Sequence, residues 1–220
     1  MTINTTIDHT LLKQDATSAQ ISQHCADALK YQFATVCIHP IWVPLCARLL
    51  KGSPVKVCTV VGFPFGTNAT EAKAFETELA LKQGAEEIDM VLNIGALKDG
   101  NLDVVRRDIE AVVKAAQGHI VKVILETCLL TRDEKIAACE TVVAAGAHFV
   151  KTSTGFSTGG ATVDDVKLMK SVVGDRCKVK AAGGVRSYAD VVAMLEAGAE
   201  RIGTSAGVAL MTQTEVKTSY

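Results

Sequence analysis

Apolar residues along the chain recur in short β-branched runs, each followed by a longer stretch in which they return every three or four positions. This alternation is the pattern of parallel βα units, in which a buried strand leads into an amphipathic helix. Eight runs stand out, at residues 6–10, 34–38, 55–61, 87–92, 120–125, 148–152, 178–181 and 200–203. Their starts lie 21 to 33 residues apart, room for one strand and one helix per repeat. Asp8 and His9 interrupt the apolar pattern of the first run.

The segments between the runs carry helix punctuation. Thr131-x-x-Glu134, Thr162-x-x-Asp165 and Ser187-x-x-Asp190 have the form of capping boxes, and Val105, Ile109, Val112, Val113 and Ala116 make one apolar stripe. Gly84, Gly118, Gly146, Gly174 and Gly198 sit where a left-handed helix end is wanted. Three of these ends repeat as Gly-Ala-x-x-apolar, at 84–88, 146–150 and 198–202. No Ser/Gly/Pro-rich linker or shift in composition breaks the chain. Residues 1–220 are therefore expected to form a single-domain (β/α)₈ TIM barrel, with a flexible tail from about residue 212. An open doubly wound sheet would usually have fewer strands and a glycine-rich first turn.

Composition narrows the partners more than the fold. Lys and Arg number 23 against 24 Asp and Glu, a net charge of −1, so no global field draws the chain to nucleic acid or to an anionic membrane. Any anion site has to be local. No stretch reaches the ~18 consecutive apolar residues of a membrane span. The first eight residues have no basic and apolar export pattern. The seven cysteines are odd in number and form no C-x-x-C pair, which is read as reduced thiols in a cytoplasmic protein.

Strands covered on both faces should be almost wholly apolar, so charged residues inside the runs carry information. Lys56, Asp89, Lys122, Lys151 and Lys180 are such residues. Lys56 is expected to reach water at a strand end, while Lys122 fits an inward or an outward register equally well. Lys151 and Lys180 occupy equivalent places in successive strands, each directly before a glycine-bearing loop. Neighbouring strands are ~4.8 Å apart, so repulsion and desolvation should bring at least one of the two ammonium groups toward neutrality. A neutral lysine is what Schiff-base chemistry on a carbonyl requires. Asp89 would pair with the lysines or move protons for them.

The loops after the last three runs, 153–160, 182–186 and 203–207, are small and rich in backbone donors. Barrels commonly hold a phosphate there, at unpaired N–H groups and helix N-termini. The five histidines and the cysteines show no metal-ligand spacing, so no metal is expected. No Gly-x-Ser-x-Gly turn offers a nucleophilic serine. Cys37 lies near the expected mouth and is read as packing.

Taken together, Ile7-Asp-His-Thr-Leu-Leu-Lys13, Val36-Cys-Ile-His-Pro40, Val60-Val-Gly-Phe-Pro-Phe-Gly66, Glu87-Ile-Asp-Met-Val-Leu-Asn-Ile-Gly95, Val123-Ile-Leu-Glu-Thr127, Phe149-Val-Lys-Thr-Ser-Thr-Gly-Phe156, Val179-Lys-Ala-Ala-Gly-Gly-Val-Arg186 and Arg201-Ile-Gly-Thr-Ser205 resemble the class I, Schiff-base deoxyribose-phosphate aldolase family. The resemblance runs from residue 7 to 205 in order. It implies reversible cleavage of 2-deoxy-D-ribose 5-phosphate to D-glyceraldehyde 3-phosphate and acetaldehyde, with no metal or organic cofactor. It further implies Lys151 as the Schiff-base lysine, Asp89 and Lys180 as the proton relay, and phosphate held around Gly155, Gly183, Gly184, Gly203, Thr204 and Ser205. Its partners would be a phosphorylated sugar and short aldehydes, and the family is often dimeric. Some members have a lysine where this chain has Phe156, which would leave the phosphate here to backbone donors alone. Several end in tyrosine, as this chain does, and Tyr220 is carried over as a proton-transfer candidate. The rival readings are a Schiff-base barrel aldolase for another sugar phosphate and a non-catalytic phosphate-binding barrel.

Overall fold

The computed structural model describes residues 3–212. Tyr220 and the tail beyond Thr212 lie outside the described residues. Eight parallel strands close into a barrel in chain order. The first half runs β1 (Ile7–Leu11), α1 (Ser18–Tyr31), β2 (Thr35–Ile38), α2 (Val43–Leu49), β3 (Lys56–Val61), α3 (Thr70–Lys82), β4 (Glu87–Val91), α4 (Ile94–Lys98) and α5 (Leu102–Ala115). The second half runs β5 (Ile120–Ile124), α6 (Arg132–Ala144), β6 (Phe149–Lys151), α7 (Val163–Val173), β7 (Lys178–Ala182), α8 (Tyr188–Glu196), β8 (Arg201–Thr204) and α9 (Gly207–Thr212). Each strand overlaps one of the eight expected runs, the first shifted by one residue to begin at Ile7.

Closure comes from the pairing of β1 with β8, in which Asp8 lies opposite Gly203. Gly203 is required there by space, since a Cβ would stand 2.9 Å from that of Ala182 and 3.1 Å from Cε of Lys180. Between strands and helices, Ile21, Ile109, Val142, Val166 and Val191 are fully buried in one continuous apolar layer. Inside the barrel, Leu12, Cys37, Cys58 and Val60 form a separate apolar group on the β1–β3 side, with Phe63 packed against it. The rest of the interior holds charge.

The capping boxes at Thr131 and Ser187 are complete, whereas the one expected at Thr162 is half formed. Thr162 accepts from the Asp165 N–H, but the Asp165 carboxylate is turned to Lys135 Nζ at 2.5 Å. An ion pair outcompetes the second half of the cap. A full box at Thr17 and Gln20 opens α1 and was not anticipated from the pattern. The five glycines expected at helix ends all have positive φ.

Candidate active site

Strand alternation turns Asp89, Lys122, Lys151 and Lys180 into the barrel interior, and strand register sets them at nearly one level. Asp89 pairs directly with Lys122 across β4 and β5, and Lys151 with Lys180 across β6 and β7. The Asp89 carboxylate is the hub. Its Oδ2 accepts from Lys151 Nζ at 2.7 Å and from Lys180 Nζ at 2.7 Å. Its Oδ1 accepts from Lys122 Nζ at 2.8 Å and from the Cys58 thiol at 3.2 Å.

A second tier of charge supports the hub. Lys180 also meets Asp8 at 2.5 Å, Lys122 meets Glu87 at 2.6 Å, and Arg201 bridges Asp8 and Glu87. Thr35 Oγ1 donates to Asp8 Oδ1 at 2.8 Å. Seven charged groups thus share one largely buried compartment, where an unpaired charge would be far costlier than in water.

Burial pushes the Asp89 carboxyl upward, but Lys122, Lys151 and Lys180 together outweigh it and hold it well below the usual carboxylate range. Asp8 is likewise lowered, with Lys180, Arg201 and Lys122 overcoming its burial. Burial works to discharge Lys180, yet Asp8 and Asp89 raise it above an ordinary lysine. Lys122 is raised for the same reason, chiefly by Asp89 against its burial. Asp89 pairs with both lysines, one of the two roles the sequence offered it, and Lys180 is shifted upward, not toward neutrality. A shared carboxylate oxygen stands between the two ammonium groups, and Lys180 is held charged.

Above the cluster opens a pocket at the C-terminal end of the strands. Lys151, Gly155, Gly183, Gly184, Gly203, Thr204 and Ser205, all singled out from the sequence, line this single pocket. Gly183 and Gly184 both adopt the left-handed region, φ 85° and 79°, which lets the chain curl around it. The backbone N–H groups of Gly155, Gly183, Gly184 and Ser205 donate to no acceptor among the described residues. Arg186 also lines the pocket. Phe156 closes the other side, edge-on to Phe63 with ring centres 5.3 Å apart.

Asp8, Glu87, Lys122, Arg201 and Arg186 were not assigned to the site from the sequence. Asp8 had signalled itself as a break in an apolar strand, and Lys122 had been left between two registers. Its inward position follows once Asp89 is its register partner. Lys56 behaves as expected, half-exposed and paired with Glu86 at 2.8 Å. Cys37 is fully buried in the inner apolar group. Cys37, Cys58 and Asp89 bring donor atoms within 4.8 Å of one another, but both Asp89 oxygens face ammonium groups, which disfavours a cation there.

Fold and site together define a (β/α)₈ barrel enzyme, a lyase of the aldolase type. The model for the DeoC/LacD family of aldolases matches residues 2–212, and the chain belongs to that family. It is 60% identical over 220 residues to the deoxyribose-phosphate aldolase of Streptococcus uberis, covering 100% of both chains. It is 59% identical to that of Geobacillus sp. over 215 residues, 97% of this chain and 96% of the relative. Among solved structures, QR15, an aldolase, superposes with a TM-score of 0.93 at 37% identity, covering 97% of this chain and 96% of that one. The deoxyribose phosphate aldolase of Aeropyrum pernix, described as a unique tetrameric structure, superposes at 0.90 with 34% identity, covering 96% of this chain and 90% of that one.

Proposed function

We propose that this aldolase reversibly cleaves 2-deoxy-D-ribose 5-phosphate to D-glyceraldehyde 3-phosphate and acetaldehyde, through a Schiff base on Lys151. The observation that carries the reading is the Asp89 oxygen shared by Lys151 and Lys180 beneath a pocket rimmed by backbone N–H groups that have no acceptor among the described residues. The names of the close relatives support the substrate.

The nucleophile is the neutral amine. Lys151 pairs with one carboxylate, whereas Lys122 pairs with three and Lys180 and Arg201 with two each, so Lys151 is the cation of the cluster least committed to ion pairs. Lys151 Nζ attacks the C1 aldehyde, and loss of water from the carbinolamine gives an iminium ion. A base takes the C3 hydroxyl proton, and the C2–C3 bonding pair moves toward the iminium nitrogen. D-Glyceraldehyde 3-phosphate departs, leaving an enamine. Protonation at C2 and hydrolysis release acetaldehyde and restore the amine.

Lys180, held charged by Asp8 and Asp89, is the proton donor of this relay, and Asp89 links it to Lys151. A positioned acid or base of this kind contributes ~10²–10⁴-fold. The iminium is the electron sink, so the chemistry calls on no metal or organic cofactor. The phosphoryl group sits at Gly155, Gly183, Gly184, Gly203, Thr204 and Ser205, with Arg186 adding charge. Tyr220, outside the described residues, is a further proton-transfer candidate. Seven free cysteines, six of them buried, support a reducing, cytoplasmic setting. No helix among the described residues is long and apolar enough to cross a membrane. The family resemblance also carries a homodimer, which light scattering of the purified protein tests.

Borohydride added with acetaldehyde should trap a reduced adduct, located at Lys151 by peptide mass spectrometry and absent from Lys151→Ala. An adduct on another lysine, or undiminished trapping in the variant, would overturn the assignment.

A further inference from the structure

Glu126 follows β5 and has a conformation few residues other than glycine adopt, φ 57° and ψ 62°. Its side chain is also out of place by composition, a carboxylate only 2% exposed. Such local strain persists only where surrounding structure enforces it, and it concentrates at functional sites. Burial raises the Glu126 carboxyl, against which hydrogen bonds from Thr154 and the charge of Lys151 act.

Both carboxylate oxygens are committed to one residue of the neighbouring loop. Oε1 accepts from the Thr154 backbone N–H at 3.2 Å, and Oε2 accepts from the Thr154 hydroxyl. The same hydroxyl oxygen accepts from the Phe156 N–H at 3.0 Å. The turn Thr154–Gly155–Phe156 is thereby gripped on both sides of Gly155, whose own N–H has no acceptor among the described residues. All three turn residues line the pocket with Lys151, while Glu126 does not.

We propose that Glu126 is a positioning residue for phosphate recognition: through Thr154 it presents the Gly155 N–H to the phosphoryl group of the substrate. The inference rests on the proposed reaction. It explains a buried carboxylate that the Schiff-base chemistry leaves without a task. Glutamine has nearly the same shape but replaces one acceptor oxygen by a donor, so Glu126→Gln removes the charge-assisted bond from the Thr154 hydroxyl and can keep that contact only as a reversed, neutral one. A hydrogen bond to a charged group typically corresponds to about tenfold or more in an equilibrium.

The test compares cleavage of 2-deoxyribose 5-phosphate and of unphosphorylated 2-deoxyribose by wild type, Glu126→Gln and Thr154→Val. Both variants should raise KM for the phosphorylated sugar about tenfold, leave its kcat within about threefold, and scarcely alter kcat/KM for the unphosphorylated sugar. The double variant should be no worse than the poorer single one, because the bond from the Thr154 hydroxyl to the Glu126 carboxylate is lost in both. Equal losses on the two sugars, or unchanged KM for the phosphate ester, would overturn the positioning role while leaving the reaction intact. Wild-type protein inactive on both sugars, or Lys151 left untrapped by borohydride, would overturn the reaction and this inference with it.

Discussion

Asp89 shows how one residue reconciles three buried ammonium groups. Its two oxygens take Lys122 on one side and Lys151 with Lys180 on the other. Removing one partner of a buried ion pair is strongly destabilising, because it strands the charge that remains. Asp89→Asn should therefore cost on the order of 3–5 kcal/mol in urea unfolding. The cleavage rate should fall by at least about 10²-fold, since the relay between Lys180 and Lys151 is broken. Near-normal unfolding free energy would show that the lysines do not rely on this carboxylate.

At the scale of elements, α3 departs from the amphipathic pattern of α1, α5, α7 and α8. It buries Lys73 and Thr77 while leaving Phe75 65% and Leu79 41% exposed. The reason lies in α5 and β4. Lys73 Nζ reaches Asp108 of α5 at 2.6 Å and the Val91 carbonyl at the end of β4 at 3.0 Å. Thr70 Oγ1 donates to the other Asp108 oxygen at 2.9 Å. An internal ion pair, not an apolar stripe, joins α3 to α5 and steadies the strand that bears Asp89. Lys73→Met should lose about 3–5 kcal/mol, and Lys73→Met with Asp108→Leu should recover much of it, because the second change removes the stranded carboxylate. Thermal or urea unfolding of the single and double variants measures this, and additive losses would contradict it.

For the whole molecule, acid stability reports the buried charge and the buried histidines together. His9 and His24 stack between β1 and α1 with ring centres 3.8 Å apart. Burial lowers His24 to about 4 and His9 well below the ordinary histidine value. The unfolded chain takes up their protons first as pH falls, so native stability should drop between pH ~6.5 and ~4, by on the order of 3 kcal/mol for His24 alone. Asp8 and Asp89 act in the same direction at lower pH. Their depressed carboxyls stabilise the fold fully above the unfolded value near ~4, and that contribution is lost as pH falls further. Unfolding free energies measured from pH 7 to 4 should decline already below pH 6.5, and His24→Gln should flatten that limb. A flat wild-type profile down to pH 4.5 would contradict the burial of the histidine pair.

Periodicity sufficed for the eight βα units, because a strand and a helix each write their period locally in side-chain alternation and caps. The same local reading exposed Asp89, Lys151 and Lys180, since charge inside a two-faced strand is anomalous wherever the strand lies. Register was not legible. It depends on how the barrel closes, and only closure turned Lys122 inward, set Asp8 beside Lys180, and placed Arg201 across Asp8 and Glu87. Nor could the pattern show that Glu126 and Thr154, 28 residues apart, would meet, or that Asp165 would leave its cap for Lys135. Sequence by itself determined which residues could not be core. The tertiary structure decided which charges answer one another, because ion pairs across strands depend on distances of a few ångströms that no local periodicity encodes.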